Sequence, residues 1–273
     1  MLKKILIALL FVTISVQAQK KIKGSRNVTI EQTTINSFTS IELDGDFEVG
    51  LLKGSRYMVE VEADDNLHNI IEIKVENNVL YIKPSQDITG SKTQKIRITF
   101  SDTLNKVTVA GKVSFETSQD LSLNNFEFVA KGKSKSKFSI TADKFTLDNM
   151  EDAKVEAEVN AEEIFLHLNG SSDLDGYLKS KMLNAEAFEN SSAKVKGDVD
   201  DFILNASKSS KFDGEKLSTK DAVVFAGGNS KNSINVSKKL KLSVKDKSEV
   251  DIYNSPEIDL VEFTEKATIA KKS

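Results

Sequence analysis

The chain has no cysteine and no tryptophan, two prolines, two histidines and, among 38 basic residues, only three arginines, Arg26, Arg56 and Arg97. Each scarcity excludes something. Without cysteine there is no disulfide framework, no thiolate metal site and no lipid-modified N-terminal cysteine. Two histidines far apart in sequence, His68 and His167, are poor material for a zinc centre. The basic residues are interleaved with 41 acidic ones, for a net charge of −3. That is a solvated surface, not the basic stripe of a nucleic-acid binder, so no nucleic-acid partner is expected. The missing tryptophan removes a common platform for sugar rings. No segment shows the 3.6-residue period of a helix over three turns, and none beyond the first eighteen residues is apolar enough to cross a membrane.

The N-terminus reads as a secretory signal over residues 1–18. Lys3 and Lys4 form its positive end, Ile5 to Val16 its apolar core, and Val16-Gln17-Ala18 its cleavage site, so the mature chain is expected to start at Gln19. Secretion without disulfides points to the periplasm or cell surface of a Gram-negative bacterium.

Residues 19–103 read as an N-terminal β-strand region. Ile41 and Leu43; Phe47, Val49 and Leu51; Tyr57, Val59 and Val61; Ile71, Ile73 and Val75; and Ile96, Ile98 and Phe100 all lie at period two. Half-buried strands have that spacing.

Residues 104–273 repeat. Phe126, Phe145, Ile164, Leu183, Phe202, Ala222, Leu240 and Ile258 open similar segments at intervals of 19, 19, 19, 19, 20, 18 and 18. Two residues on stands a second apolar column, from Phe128 to Leu260. A third, mostly small or apolar, runs from Ala130 to Glu262. A fourth is read as Phe138, Val155, Leu174, Val195, Phe212, Ile234, Val250 and Ile269. Before it come small residues, Ser136, Ala153, Ser172, Ala193, Ser210, Ser248 and Ala267, and Gly176, Gly197 and Gly214 close three turns at one apparent position.

Nineteen extended residues trace about 60 Å, the perimeter of a three-sided coil with faces of ~20 Å, and such coils stack at ~4.8 Å. The expected fold is therefore all-β: a right-handed parallel β-helix, a three-sided solenoid of about 19 residues per coil, with strand-rich N-terminal coils that can run on into it. An antiparallel sandwich also has short strands but does not call for this repeat. A leucine-rich repeat needs a consensus that is absent.

The stretches "SIELDGDFEVGLLKGSRYMVEVEADDNL" (40–67), "IIEIKVENNVLYIK" (70–83), "IRITFSDTLNKVTVAG" (96–111), "LNGSSDLDG" and "FAGGNSK" resemble the bacterial family described as putative auto-transporter adhesin, head GIN domain. The resemblance implies a secreted β-helix-like protein with an adhesion role, and supplies no catalytic residues. The chain closes on "VEFTEKATIAKKS", read as a last coil and a charged tail instead of a membrane barrel, so self-translocation is not expected.

The chemical candidates are few. His167, between Leu166 and Leu168, is expected to face outward on a strand. Asp173 and Asp175 have the spacing of hard-cation ligands, as do Asp44 and Asp46 beside Glu42 and Glu48. The positions equivalent to Asp173-Leu174-Asp175-Gly176 read Lys194-Val195-Lys196-Gly197 and Lys211-Phe212-Asp213-Gly214, so the carboxylates are not repeated. No catalytic, cofactor-binding or metal-binding residue is assigned, and no cofactor is expected. The expected role is secreted, envelope-associated binding without catalysis, to a surface glycan or an envelope protein. Two alternatives stand beside it: a β-helix polysaccharide lyase or hydrolase, and a structural or assembly protein of the envelope. Oligomeric state is not readable.

Overall fold

A computed structural model describes residues 21–101 and 103–272. The proposed signal segment and cleavage site lie outside the described residues. The chain forms a β-solenoid of about nine turns with about 19 residues per coil. Asp173–Ala187 shows how one coil is made. Its first run, 173–180, alternates outward polar residues with inward Leu174, Gly176 and Leu178. Pairing lapses at Lys181, a crease where two successive side chains turn away from the core. The second run, 182–187, then sends Leu183, Ala185 and Ala187 inward. Period-two burial on both runs is what fixes them as strands with one wet face.

Neighbouring coils pair in parallel. In the second run Phe126, Phe145, Ile164, Leu183, Phe202, Ala222, Leu240 and Ile258 stand over one another in unbroken register. These are the anchor positions of the sequence repeat. Apart from Ile258 they are buried, and Phe126, Phe138 and Phe145 form a ring cluster in which Phe126 and Phe145 stack at 6.3 Å. Each such side chain taken from water contributes on the order of 1.5–3 kcal/mol.

Three details of the repeat differ from the sequence reading. The third column ends on Phe263, not Glu262, because a register shift after Leu242 slips the last strand by one residue. The fourth column is two columns, two residues apart. One contains Ser136, Val155, Leu174, Ala193, Phe212, Asn232 and Val250; the other contains Phe138, Ala157, Gly176, Val195 and, farther on, Ile234 and Ile252. From Ser136 and Phe138 to Phe212 and Gly214, the larger residue in one sits beside a smaller one in the other, so these coils fill the same cross-section from either side; Val250 and Ile252 are both large. Gly197 is not equivalent to Gly176, since it pairs with Leu178.

The tight corner lies elsewhere. Gly111, Gly132, Glu151, Gly170, Glu189, Lys208, Gly228, Asp246 and Glu265 all hold φ between 58° and 71°. They form a ladder in which the next residue's N–H donates to the carbonyl of the corner below, as Asn190 does to Gly170 at 2.9 Å. This left-handed step turns the chain in a single residue. Two residues later comes a column of Val113, Ser134, Ala153, Ser172, Ser191, Ser210, Ser230, Ser248 and Ala267, all buried except the half-buried Ala267. After Val113 every member is serine or alanine, so a small side chain is the rule of the regular coils. Ser136 and Ala193, expected in this column, belong to the next one along.

The N-terminal strands are part of the same solenoid, stacked out of chain order. Ser40–Gly45 pairs in parallel with Lys106–Gly111, and Glu48–Lys53 with Ser114–Thr117. Val79–Pro84 and Gln94–Phe100 extend the two ladders by another level. Antiparallel strands then lie across both: Ile71–Glu76 on Val79–Pro84, and Met58–Asp64 on Gln94–Phe100, with Val28–Thr34 outside it. The other end finishes on Glu257–Phe263 and Thr268–Lys271, each paired on one side with the preceding coil.

Candidate functional site

The crease between the two runs repeats on every coil, and repetition makes it a groove. An open cavity of about 480 Å³ runs across six coils there, from Thr141 to Ser237. Its floor is Ala142, Ala161, Ser180, Val199 and Thr219, residues too small to fill it. One wall is the outward column Thr141, Asn160, Lys179, Asp198 and Ser218; the other is Glu162, Lys181, Asp200 and Lys220. Coil spacing of ~4.8 Å sets these side chains within reach of their neighbours above and below.

The second wall is electrostatically paired. Lys181 Nζ donates to Glu162 Oε1 at 2.7 Å, and Lys220 Nζ lies 2.6 Å from Asp200 Oδ1. These hydrogen bonds, then the carboxylate charges, hold both ammonium groups above the usual lysine range. Lys137 is raised in the same way by Glu156 on the neighbouring first-run face. The opposite wall presents hydroxyl, amide, ammonium and carboxylate groups in succession, a surface suited to hydrogen bonding along its length.

Sequence-level candidates fall outside the groove. His167 faces outward on the second run, its Nδ1 2.6 Å from Asp148 Oδ1 on the coil below. His68 lies near the N-terminal end, its Nε2 2.9 Å from Thr29 Oγ1. Asp173 and Asp175 stand on the outer face of the first run, beside Lys154 and Lys194 respectively. Asp46 is 3.9 Å from Lys112, and Glu48 3.8 Å from Lys95. Among the described residues no three His, Asp or Glu side chains converge on a point that could hold a metal, and no helix is long and apolar enough to cross a membrane. The alternation pattern does not announce the groove. Its trace in the sequence is the small or polar residue three positions before an anchor, Ala142, Ala161 and Ser180 ahead of Phe145, Ile164 and Leu183.

Stacked parallel coils with a lengthwise groove define the class of extended β-solenoid proteins. The family described as "Putative auto-transporter adhesin, head GIN domain" matches residues 37–177 and again 144–256, and the chain belongs to it. Two overlapping matches are what a repeat produces, since one coil aligns with the next. Solved structures share the fold. A putative adhesin from Parabacteroides merdae ATCC 43184 has 15% identity and a TM-score of 0.65, covering 93% of this chain and 99% of that one. A putative adhesin from Parabacteroides distasonis ATCC 8503 has 18% identity and a TM-score of 0.66, covering 93% and 100%. A putative lipid binding protein from the same organism has 18% identity and a TM-score of 0.63, again covering 93% and 100%. No curated protein matches the chain.

Proposed function

We propose that this protein is a secreted, non-catalytic binding protein of the adhesion type at the envelope of a Gram-negative bacterium, and that it holds an extended surface glycan along the crease groove. The groove carries the reading. It crosses six coils, its floor is made of small residues, and one wall offers Asn160, Lys179, Asp198 and Ser218 in succession. A linear, hydroxyl-rich polymer can lie along such a wall and exchange hydrogen bonds with each coil. Membership of a family described as adhesins supports the same reading.

The experiment is binding of the mature chain to an array of extended polysaccharides, followed by titration of any positive. Asn160→Tyr and Ser218→Tyr place bulk in the groove from exposed positions that touch no core residue column. Both are expected to weaken binding about tenfold or more while leaving the fold intact. Binding that survives both substitutions places the ligand elsewhere. Shortening of the polysaccharide during incubation favours the enzyme reading, and capture of an envelope protein with no glycan bound favours the assembly reading.

A further inference from the structure

The two ends of the solenoid are unlike. At the N-terminal end, antiparallel strands lie across both ladders, and Val59, Val61, Leu80 and Ile82 beneath them are buried. At the C-terminal end, Ile258, Leu260 and Phe263 stand over Leu240, Leu242 and Val244. The lower three are at most 1% exposed, whereas the upper three are 47%, 48% and 51% exposed. These are core-column side chains with no coil above them among the described residues. The outer backbone edges of Glu257–Phe263 and Thr268–Lys271 are unpaired there too.

We propose that this open end is the interface of a tail-to-tail dimer, and that its occupant is the same end of a second copy. A head-to-tail stack cannot continue both ladders, because Ile71–Glu76 at the N-terminal end runs antiparallel to the ladder that finishes on Glu257–Phe263. An interface of one end with itself closes after two copies. Charge selects the arrangement. Glu257–Phe263 carries Glu257, Asp259 and Glu262, whereas the region around Thr268–Lys271 carries Lys266, Lys271 and Lys272 against one acid, Glu265, with Lys272 also 3.4 Å from Asp251. Laying the first strand over its own copy sets acid against acid. A twofold axis through the corner between the two strands instead lays Glu257–Phe263 of one copy antiparallel over Thr268–Lys271 of its partner, and the reverse. Acidic and basic edges then meet twice, and the apolar columns of the two copies cap each other. The end of a coil with ~20 Å faces is smaller than the roughly 800 Å² per partner of a standard interface. The pair is therefore weak and dissociates on dilution.

Sedimentation velocity of the full mature chain across the micromolar range tests this. A concentration-dependent monomer–dimer equilibrium is expected. Leu260→Lys should weaken it about tenfold or more. Because that change could loosen the last coil, a charge exchange provides the second test. Asp259→Lys alone and Lys271→Glu alone should each weaken association, and the two together should restore it, since the exchange leaves the edges complementary. A monomer at every concentration, or a dimer indifferent to all four variants, overturns the proposal. Disruption by Ile30→Lys at the opposite end, with the C-terminal variants silent, overturns it as well.

Discussion

Gly197 stands directly over Leu178 in the ladder at φ 123°, so close that a Cβ on it would lie 2.9 Å from the Leu178 carbonyl carbon. Gly176, on the coil below, has an ordinary φ, and a Cβ there would meet only the Leu178 and Leu174 side chains, at 3.5 Å or more. Gly197→Ala is expected to destabilise by about 2–4 kcal/mol, from backbone strain and a backbone clash. Gly176→Ala should be neutral or stabilise by up to about 1 kcal/mol, by restricting the unfolded chain. Urea denaturation of the two variants side by side measures the difference.

Asp64 is fully buried and clamps the N-terminal segment. Its carboxylate accepts from Arg26 N–H at 2.8 Å and from Lys92 N–H at 3.1 Å. Asp64→Ala removes the acceptor of two part-buried backbone donors and should cost about 1–3 kcal/mol. Amide hydrogen exchange is expected to quicken first around residues 24–27 and 91–92. Uniform loss of protection along the solenoid would contradict a local clamp.

Asp65 holds the same segment from the solvent side. Hydrogen bonds from Ser25 and Asn27 lower its carboxyl below the usual 3.8. A carboxyl lowered by folding adds stability above 3.8 and loses it as pH falls through the lowered value. The stability difference between wild type and Asp65→Ala should therefore be present at neutral pH and vanish in acid below that range. Carboxyl NMR titration of Asp65 together with urea midpoints at each pH checks the sign.

Phe145 is 0% exposed and sits between Phe126 and Phe138, whereas Phe225 on the outer face is 47% exposed. Phe145→Ala should cost about 3–5 kcal/mol, the penalty for emptying a packed site. Phe225→Ala should stay within about 0.5 kcal/mol. Equal effects would mean that the outward side of the second run is covered in solution.

The second-run columns could be read from sequence because each inward residue repeats at a near-constant interval and stays apolar. The first-run columns could not be separated. Ser136 with Phe138, Leu174 with Gly176, and Phe212 with Gly214 exchange large for small between adjacent inward positions. A search for the large residue follows volume from one column to the other. The left-handed corner was also hidden, because Glu151, Glu189 and Lys208 occupy it beside Gly170 and Gly228. Residue type alone does not announce a positive φ that the stacked hydrogen bonds hold in place.

Periodicity in the sequence determined the parallel coil, its length of about nineteen residues and the outward setting of His167, Asp173 and Asp175, since alternation and repeat interval are properties of the chain read locally. Within "LNGSSDLDG" the corner is Gly170, and Asp173–Gly176 is already strand, so the turn expected to close on Gly176 stands six residues earlier. Tertiary structure alone decided the out-of-order stacking that lays Ser40–Gly45 against Lys106–Gly111 and closes one end with antiparallel strands. It alone assembled the groove from residues contributed by six coils, and left Ile258, Leu260 and Phe263 about half exposed. Those features depend on which strand edges meet, and any β-rich edge can pair with another until the whole core has chosen among them.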